Sequence, residues 1–295
     1  MNDNTQSDFI QRFLFEGHSV RGQWISLSTS VNELMSGHNY PDAVKKQLKF
    51  AALAANLLTE TLKFEGRLTL QTQSGGDLKL LLIQANHQHE FRGVARFNSA
   101  IENSDDLKIL MPGAQMALTI EPKNGKRYQG IVPMHQHSLA ENLEDYFQQS
   151  EQLPTRIWLF ANNEKAVGLM LQSMPGASDV ADLDHLAQLA ATLSEDEALS
   201  LASDTILHRL FHQDPLRLFP STAIKYSCGC SREKSSTSLS LVPKEELHEI
   251  LREEGKVELT CEFCQTQYVY DSIDVEQVLA NSGHDMNQST GKTVQ

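Results

Sequence analysis

The sequence Cys228-Gly229-Cys230, followed after residues 231–260 by Cys261-Glu262-Phe263-Cys264, contains all four cysteines of this 295-residue chain. One pair of thiols is separated by a single residue and the other pair by two. If the chain between them brings the pairs together, they supply four soft sulfur ligands, the donor set of a tetrahedral zinc site. The spacing therefore predicts a Zn²⁺ site formed by Cys228, Cys230, Cys261 and Cys264, around which the C-terminal part of the chain folds.

Four cysteines have two other ordinary interpretations. Two structural disulfides are the first, but the chain begins Met-Asn-Asp-Asn-Thr-Gln-Ser-Asp, without the basic segment and apolar stretch of a secretory signal. Nothing in the sequence therefore predicts an oxidising compartment. A purely structural zinc knuckle is the second, and judged from the cysteines alone it is the commoner kind of Cys₄ site.

Two features favour a site that responds to oxidants. Structural knuckles ordinarily separate their cysteines by about two to four residues, whereas Gly229 alone separates the first pair and lets the backbone turn tightly. Zinc also holds its ligands as thiolates, the species that peroxide or hypochlorite attacks. Because zinc contributes about 10 to 16 kcal/mol to the folding of small zinc domains, oxidation would release the metal and unfold the module.

Composition argues against several classes of function. The net charge is −13, whereas binding of nucleic acid requires clustered lysines and arginines. The longest apolar run, residues 78–85, is too short to cross a bilayer. Neither a phosphate-binding loop nor a Gly-x-Ser-x-Gly elbow occurs, and the pairs His87/His89 and His135/His137 lie beside turns, as surface histidines do. We expect a soluble cytosolic protein that is not an enzyme and binds no nucleic acid, nucleotide or membrane.

Residues 1–178 are predicted to form an α+β domain. Pro41 opens a long helix with an apolar stripe from Val44 to Leu62, and Ser138 with Glu141 forms a capping box that begins a second helix. Alternating apolar patterns and turn signals predict antiparallel strands at residues 22–28, 67–73, 78–85, 90–97, 115–121, 127–132, 156–161 and 166–174. The expected product is a large antiparallel-sheet platform with two helices.

Three segments follow. Residues 179–225 are predicted to be a metastable helical linker, because its two acidic amphipathic helices, Asp182 to Leu193 and Ser194 to Phe211, depend on packing for stability. Residues 226–280 are predicted to form the zinc-binding redox-switch domain, in which the second cysteine pair lies between two strands. Residues 281–295 are small and polar, and we expect them to be disordered.

Short segments spread over nearly the whole chain match one family. They are Tyr40-Pro41, Thr61-Leu62-Lys63-Phe64-Glu65-Gly66, Arg92-Gly93-Val94-Ala95-Arg96, Arg127-Tyr128-Gln129-Gly130, Leu143-Glu144-Asp145-Tyr146-Phe147, Ser150-Glu151-Gln152-Leu153-Pro154-Thr155 and Met170-Leu171-Gln172. With these segments and the two cysteine pairs, the chain resembles the 33-kDa heat-shock protein family, the redox-regulated holdase chaperones of the bacterial cytosol.

The resemblance implies a mechanism. The reduced, zinc-bound form is expected to be inactive, with the linker helices folded over the first domain. Under oxidative stress the resemblance implies Cys228–Cys230 and Cys261–Cys264 disulfides, departure of zinc and loosening of residues 179–225. Apolar surface then binds partly unfolded client proteins without ATP, and the activated form is expected to be a homodimer. The resemblance makes residues 1–178 the client-binding and dimerisation domain.

Two other classes of protein share such cysteines. A zinc ribbon that binds nucleic acid or a protein partner has the same ligands, but a nucleic-acid ribbon is basic and this module is acidic. A thiol-disulfide oxidoreductase places Cys-x-x-Cys at the N-terminus of a helix, with no second pair. The predicted position between two strands therefore favours the redox-regulated chaperone.

Overall fold

A computed structural model describes residues 8–62, 65–176 and 181–288 of the chain. The chain divides into two compact units, Met1–Ser227 and Cys228–Gln295. Within the described residues, no helix combines the length and the apolar character needed to cross a membrane. The end predicted for the first domain, residue 178, lies outside the described residues.

Two sheets form the framework of the first unit. Their strands are β1 (Phe9–Phe15), β2 (Val20–Leu27), β3 (Gly66–Gln73), β4 (Leu78–Asn86), β5 (Glu90–Phe97), β6 (Gln115–Pro122), β7 (Tyr128–Pro133), β8 (Thr155–Ala161), β9 (Ala166–Ser173), β10 (Leu216–Leu218), β11 (Thr222–Ala223) and β12 (Lys225–Tyr226). Sheet A has the order β10-β1-β2-β9-β8, with β11 also paired to β1, and sheet B has the order β12-β5-β4-β3-β6-β7. All of these strand pairs are antiparallel except β12 with β5.

The predicted antiparallel α+β platform is confirmed. The strands β1 and β10 to β12 were not predicted from the sequence, and the reason is physical in each case. In β1, apolar side chains do not alternate regularly with polar ones, because they pack on both faces of sheet A. The strands β10 to β12 are only two or three residues long, too short to show a period. Their pairing with β1 and β5 depends on tertiary structure.

A central helix lies between the two sheets. The helices of this part of the unit are α1 (Thr29–Met35), α2 (Asp42–Glu60), α3 (Leu107–Leu110) and α4 (Leu139–Tyr146), the last followed by a π-helical turn, Phe147–Glu151. The structure confirms the two predicted helices, α2 and α4, and adds the two short ones. Fourteen of the nineteen residues of α2 are buried, because strands of both sheets contact it and leave it little solvent-facing surface. Leu62, placed on its stripe by sequence, lies beyond the end of the helix.

Three further helices cover the other face of sheet A. They are α5 (Ala181–Ala190), α6 (Glu195–Ser200) and α7 (Ser203–Phe211), hereafter the linker helices. The face they cover, hereafter the outer face, carries apolar side chains from β1, β2 and β9, namely Phe9, Phe13, Phe15, Val20, Trp24, Val167, Leu169 and Leu171. All eight residues of β9 are buried, because α2 packs on one side of this strand and the linker helices on the other.

The predicted helix from Ser194 to Phe211 is wrong in one respect, because it is two helices. The capping box of Ser194 with Glu197 is present, but Leu201 and Ala202 are extended and separate α6 from α7. A continuous helix would place Ala198 and Leu207 about 180° apart around its axis. The break allows both side chains to be buried against the outer face.

The second unit is small. It contains α8 (Arg232–Leu239), α9 (Lys244–Glu254), the hairpin β13 (Val257–Thr260) with β14 (Gln267–Tyr270), and α10 (Ser272–Gln288). Its buried apolar core consists of few side chains, namely Leu239, Leu247, Val257, Tyr270 and Val275. The last helix continues into the segment for which the sequence predicts disorder, and residues 289–295 lie outside the described residues.

Candidate metal centre

The second unit brings its four cysteine sulfurs within 4.8 Å of one another. The short contacts cross the two sequence pairs, with 3.5 Å between the sulfurs of Cys228 and Cys261 and 3.4 Å between those of Cys230 and Cys264. A disulfide requires about 2.05 Å, and all four side chains are free thiols. Sulfurs bound about 2.3 Å from a tetrahedral zinc ion lie about 3.8 Å apart, so the cluster needs little movement to fit that ion.

Two tight turns present the sulfurs. Gly229 adopts a left-handed conformation, φ +63°, which glycine tolerates without steric cost. In the second turn, between β13 and β14, the N–H of Cys261 donates to the carbonyl of Thr266 at 2.9 Å and the N–H of Gln265 donates to the carbonyl of Cys261 at 2.8 Å. The ammonium group of Lys234 donates to the carbonyl of Gly229. Each cysteine pair therefore lies on a backbone turn fixed by hydrogen bonds.

Two side chains after Cys264, one just before β14 and one within it, reach the sulfurs. The hydroxyl of Tyr268 donates to Cys230 at 3.0 Å, and the hydroxyl of Thr266 lies 3.2 Å from the sulfur of Cys264. Sequence analysis did not predict these contacts. No sequence pattern signals them, because Tyr268 and Cys230 are 38 residues apart and Gln265, with φ +56°, interrupts any strand alternation between Cys264 and Thr266.

The surroundings shift the pKa values of the thiols in different directions. Burial raises the pKa values of Cys228 and Cys230. Burial also raises the pKa of Cys264, but hydrogen bonds from the hydroxyl and backbone of Thr266, and then from the neighbouring thiols, outweigh it and bring the pKa to about 7. A cation shared by all four sulfurs would overcome the burial penalty by holding them as thiolates.

The donor set identifies the group that fits. Four thiols without carboxylate or imidazole suit zinc or another soft cation rather than magnesium or calcium. Among the described residues, no second group of three or more His, Cys, Asp or Glu side chains brings its ligand atoms within this distance of one another. His87, His135 and His137 are exposed, while His89 is half-buried with its ring 3.6 Å from Glu60.

The position of Cys261 to Cys264 separates this site from that of an oxidoreductase. The pair occupies the turn between β13 and β14, as predicted, and not the N-terminus of a helix. The unit also remains acidic around the site, with eleven acidic and five basic residues in 228–280. Both observations favour a metal site over a dithiol catalyst or a nucleic-acid ribbon.

Comparisons with known proteins identify the family. Residues 8–271 match the family model described as Hsp33 protein. The 33 kDa chaperonin of Shewanella loihica is 44% identical over 276 residues, covering 93% of this chain and 96% of that protein. The chain belongs to the Hsp33 family. Another relative, the 33 kDa chaperonin of Pseudomonas syringae pv. tomato, is 42% identical over 298 residues, covering 98% of this chain and 99% of that protein.

The Hsp33 fold agrees with a solved structure. The crystal structure of the 33 kDa chaperonin (heat shock protein 33 homolog) from Thermotoga maritima matches with a TM-score of 0.81, covering 94% of this chain and 99% of that one at 22% identity. The family resemblance inferred from short sequence segments is therefore confirmed. The residues matched by the Hsp33 family model include all four cysteines.

Proposed function

We propose that this Hsp33 family member is a redox-regulated, ATP-independent holdase chaperone of the bacterial cytoplasm. The observation that carries the proposal is the cluster of four free thiols within 4.8 Å in a small unit of its own. Relatives named 33 kDa chaperonin support the chaperone part of the proposal. The regulation is inferred from the chemistry of the cluster and from the packing of the linker helices.

In the proposed resting state, Cys228, Cys230, Cys261 and Cys264 hold Zn²⁺. The ion would supply charge neutralisation for four clustered thiolates and folding free energy for the unit around them. The five buried residues of that unit's core support this requirement, because so few side chains do not offset the entropy of ordering about fifty residues. The reduced protein is then folded and inactive.

The proposed switch is oxidation of the thiols. Each pair of thiolates gives two electrons to one hydrogen peroxide molecule, which also takes up two protons from solvent; one S–S bond and two molecules of water form. We propose disulfides Cys228–Cys230 and Cys261–Cys264, the pairing that the family resemblance implies, although the shortest sulfur contacts cross the pairs. Sulfurs joined in disulfides no longer bind the metal as thiolates, so zinc leaves and the unit unfolds.

The polypeptide chain joins the four-cysteine unit directly to the linker segment, residues 179–225. The residue before Cys228 is Ser227, whose N–H donates to the carbonyl of Phe91 at 2.9 Å, and β12 just before it pairs with β5. We propose that unfolding beyond Cys228 frays this edge of sheet B and then the segment 179–225. The linker helices are ten, six and nine residues long, shorter than the about 12 to 15 residues that an isolated helix needs.

The proposed client-binding surface is the outer face of sheet A. Phe13 and Trp24 are each 1% exposed and Leu169 is 0% exposed while the linker helices cover them. Departure of these helices would create a contiguous apolar patch, the kind of surface that binds the exposed apolar segments of unfolding proteins. Self-association through such a patch is consistent with the homodimer that we also propose for the activated form.

A single sample tests the proposal. The reduced, zinc-loaded protein is treated with peroxide at mildly raised temperature while released zinc, disulfide pairing by peptide mapping and suppression of aggregation of a heat-unfolded client are measured. Thiol reductant is then added. We expect zinc release, the two disulfides within the pairs and a reversible gain of client protection. Zinc release without client protection would show that the cluster is a structural site that merely oxidises.

A further inference from the structure

One histidine connects sheet A to both ends of the linker helices. His18 lies in the turn between β1 and β2. Its Nδ1 is 2.9 Å from Oδ1 of Asp182, in the first turn of α5, and its Nε2 is 3.0 Å from Oδ1 of Asp214, three residues beyond the end of α7. A single imidazole therefore joins the beginning and the end of the segment that covers the outer face.

The geometry requires a particular protonation state. A neutral imidazole donates from one nitrogen only, whereas the imidazolium donates from both. Asp182 and Asp214 both place acceptor oxygens against His18, so the doubly protonated ring is the form that satisfies both. Loss of the proton would direct a nitrogen lone pair at a carboxylate, and Asp214 is only 7% exposed, so water compensates poorly.

Other described residues also contact the ring of His18 and its two carboxylates. His185 of α5 lies with its Nε2 3.5 Å from Oδ2 of Asp214 and its ring centroid 6.2 Å from that of His18. The ring of Phe15 meets His18 edge-on, and the N–H of Ser19 donates to Asp182 at 3.3 Å. Two further ion pairs of the linker helices, Arg156 with Asp184 and Arg209 with Glu197, join arginine to carboxylate and contain no imidazole.

We infer that His18, Asp182 and Asp214 form a protonation-dependent clasp that fastens the linker helices to sheet A, so that rising pH makes these helices easier to release. The consequence for chaperone activation rests on the proposed function. The clasp itself is a property of the reduced protein and is measurable without oxidant. It would make the threshold of the oxidative switch depend on pH.

The direction of the pH effect follows from the titration of the His18 imidazole. The hydrogen bond with Asp182 raises the pKa of His18, burial opposes this shift, and the hydrogen bond with Asp214 adds to the increase. The hydrogen bond with His18 in turn lowers the pKa of Asp182. Released histidine titrates at about 6.5. The clasp is therefore at full strength below that pH and is lost as pH rises through the higher pKa of the docked state.

Hydrogen exchange of the reduced, zinc-loaded protein tests the clasp between pH 6.0 and 8.5. Protection factors, which remove the intrinsic pH dependence of exchange, are compared between the amides of α5 and α7 and those of the central helix α2. In the wild-type protein we expect protection of α5 and α7, relative to α2, to fall roughly fivefold across this range, as for a partly exposed ion-pair cluster. Zinc content should stay unchanged.

Three variants separate the clasp from general destabilisation. His18→Gln, which cannot become charged, should show low protection of α5 and α7 already at pH 6.0 and no further fall. Asp214→Asn should also lower the protection of α5 and α7 at pH 6.0. His208→Gln, at an exposed position of α7, should keep the wild-type profile. If His18→Gln also lost protection in α2, that variant would be destabilised in general. The pH dependence of the wild-type protein and the protection of α5 and α7 in Asp214→Asn would then test the clasp.

A flat wild-type profile, or an unchanged profile in His18→Gln, would overturn the clasp. Each protein is also oxidised with peroxide and assayed for client protection at pH 7. Activation of the wild-type protein with no effect of His18→Gln on exchange would reject the clasp and leave the proposed function intact. A pH-dependent clasp in a protein that never protects a client would reject the proposed function alone.

Discussion

The hydroxyl of Tyr268 donates a hydrogen bond to the sulfur of Cys230 at 3.0 Å. Thr266, which immediately precedes the strand that carries Tyr268, has its hydroxyl 3.2 Å from the sulfur of Cys264. Both contacts stabilise sulfur in its ionised form, which burial disfavours. The proposed metal centre therefore consists of four sulfurs and the hydroxyls of Thr266 and Tyr268 that contact two of them, and these hydroxyls can be removed by mutation without loss of a ligand.

Removal of the Tyr268 hydroxyl should weaken metal binding. In Tyr268→Phe we expect zinc affinity to fall by about tenfold, because groups that hydrogen-bond to metal ligands typically contribute that much. Competition with a chromogenic chelator under reducing conditions measures the change. Tyr128→Phe, on an exposed position of the first unit, is the matched control. Equal zinc affinities of the two variants would show that the Tyr268 contact has no role in holding the metal.

Removal of one sulfur should activate the protein without oxidant. In Cys261→Ser three thiols remain, so we expect loss of zinc, unfolding of the second unit and partial client protection under reducing conditions. Zinc content and aggregation of a heat-unfolded client are measured on the same sample. The central helix α2 should keep its hydrogen-exchange protection, because it belongs to the other compact unit. Full zinc occupancy in this variant would contradict the assigned site.

Weaker packing of the linker helices should allow client protection while zinc stays bound. Leu186 of α5 is fully buried in the cluster that covers the outer face. Leu186→Ala should weaken docking by about 2 to 5 kcal/mol, through lost burial and a residual cavity. We expect client protection by the reduced protein with zinc still bound. Leu201→Ala, at a position 37% exposed between α6 and α7, should leave the reduced protein inactive.

A residue outside helix α1 caps the N-terminus of that helix. The carboxylate of Asp8 accepts hydrogen bonds from the backbone N–H groups of Ser28, Thr29 and Ser30, at the start of α1. Asp8→Ala should lower the free energy of unfolding by about 2 kcal/mol, because it leaves these donors without their acceptor.

Urea denaturation followed by tryptophan fluorescence measures this change. Asp42→Ala, whose carboxylate is 79% exposed, is the control and should cost much less. Similar unfolding midpoints for the two variants would show that Asp8 is not needed as a cap.

Sequence periodicity predicted the elements whose packing is locally regular. Pro41 and the apolar residues from Val44 onward predicted α2, and Ser138 with Glu141 predicted the start of α4, as found. Sequence did not predict β1, or the division of the helix after Ser194. The apolar side chains of β1 pack on both faces of sheet A, so they do not alternate with polar ones. Those after Ser194 pack on one face from two separate helices, so they follow no single helical period.

The sequence by itself determined the candidate ligands and the family, because cysteine spacing and short segments are properties of neighbouring residues. Only the tertiary structure decided that Tyr268 contacts Cys230, that Asp8 caps α1, and that His18 lies between Asp182 and Asp214. These partners are separated by up to 196 residues. No local pattern encodes such contacts, because they arise from the order in which strands join a sheet and from the face on which helices then pack.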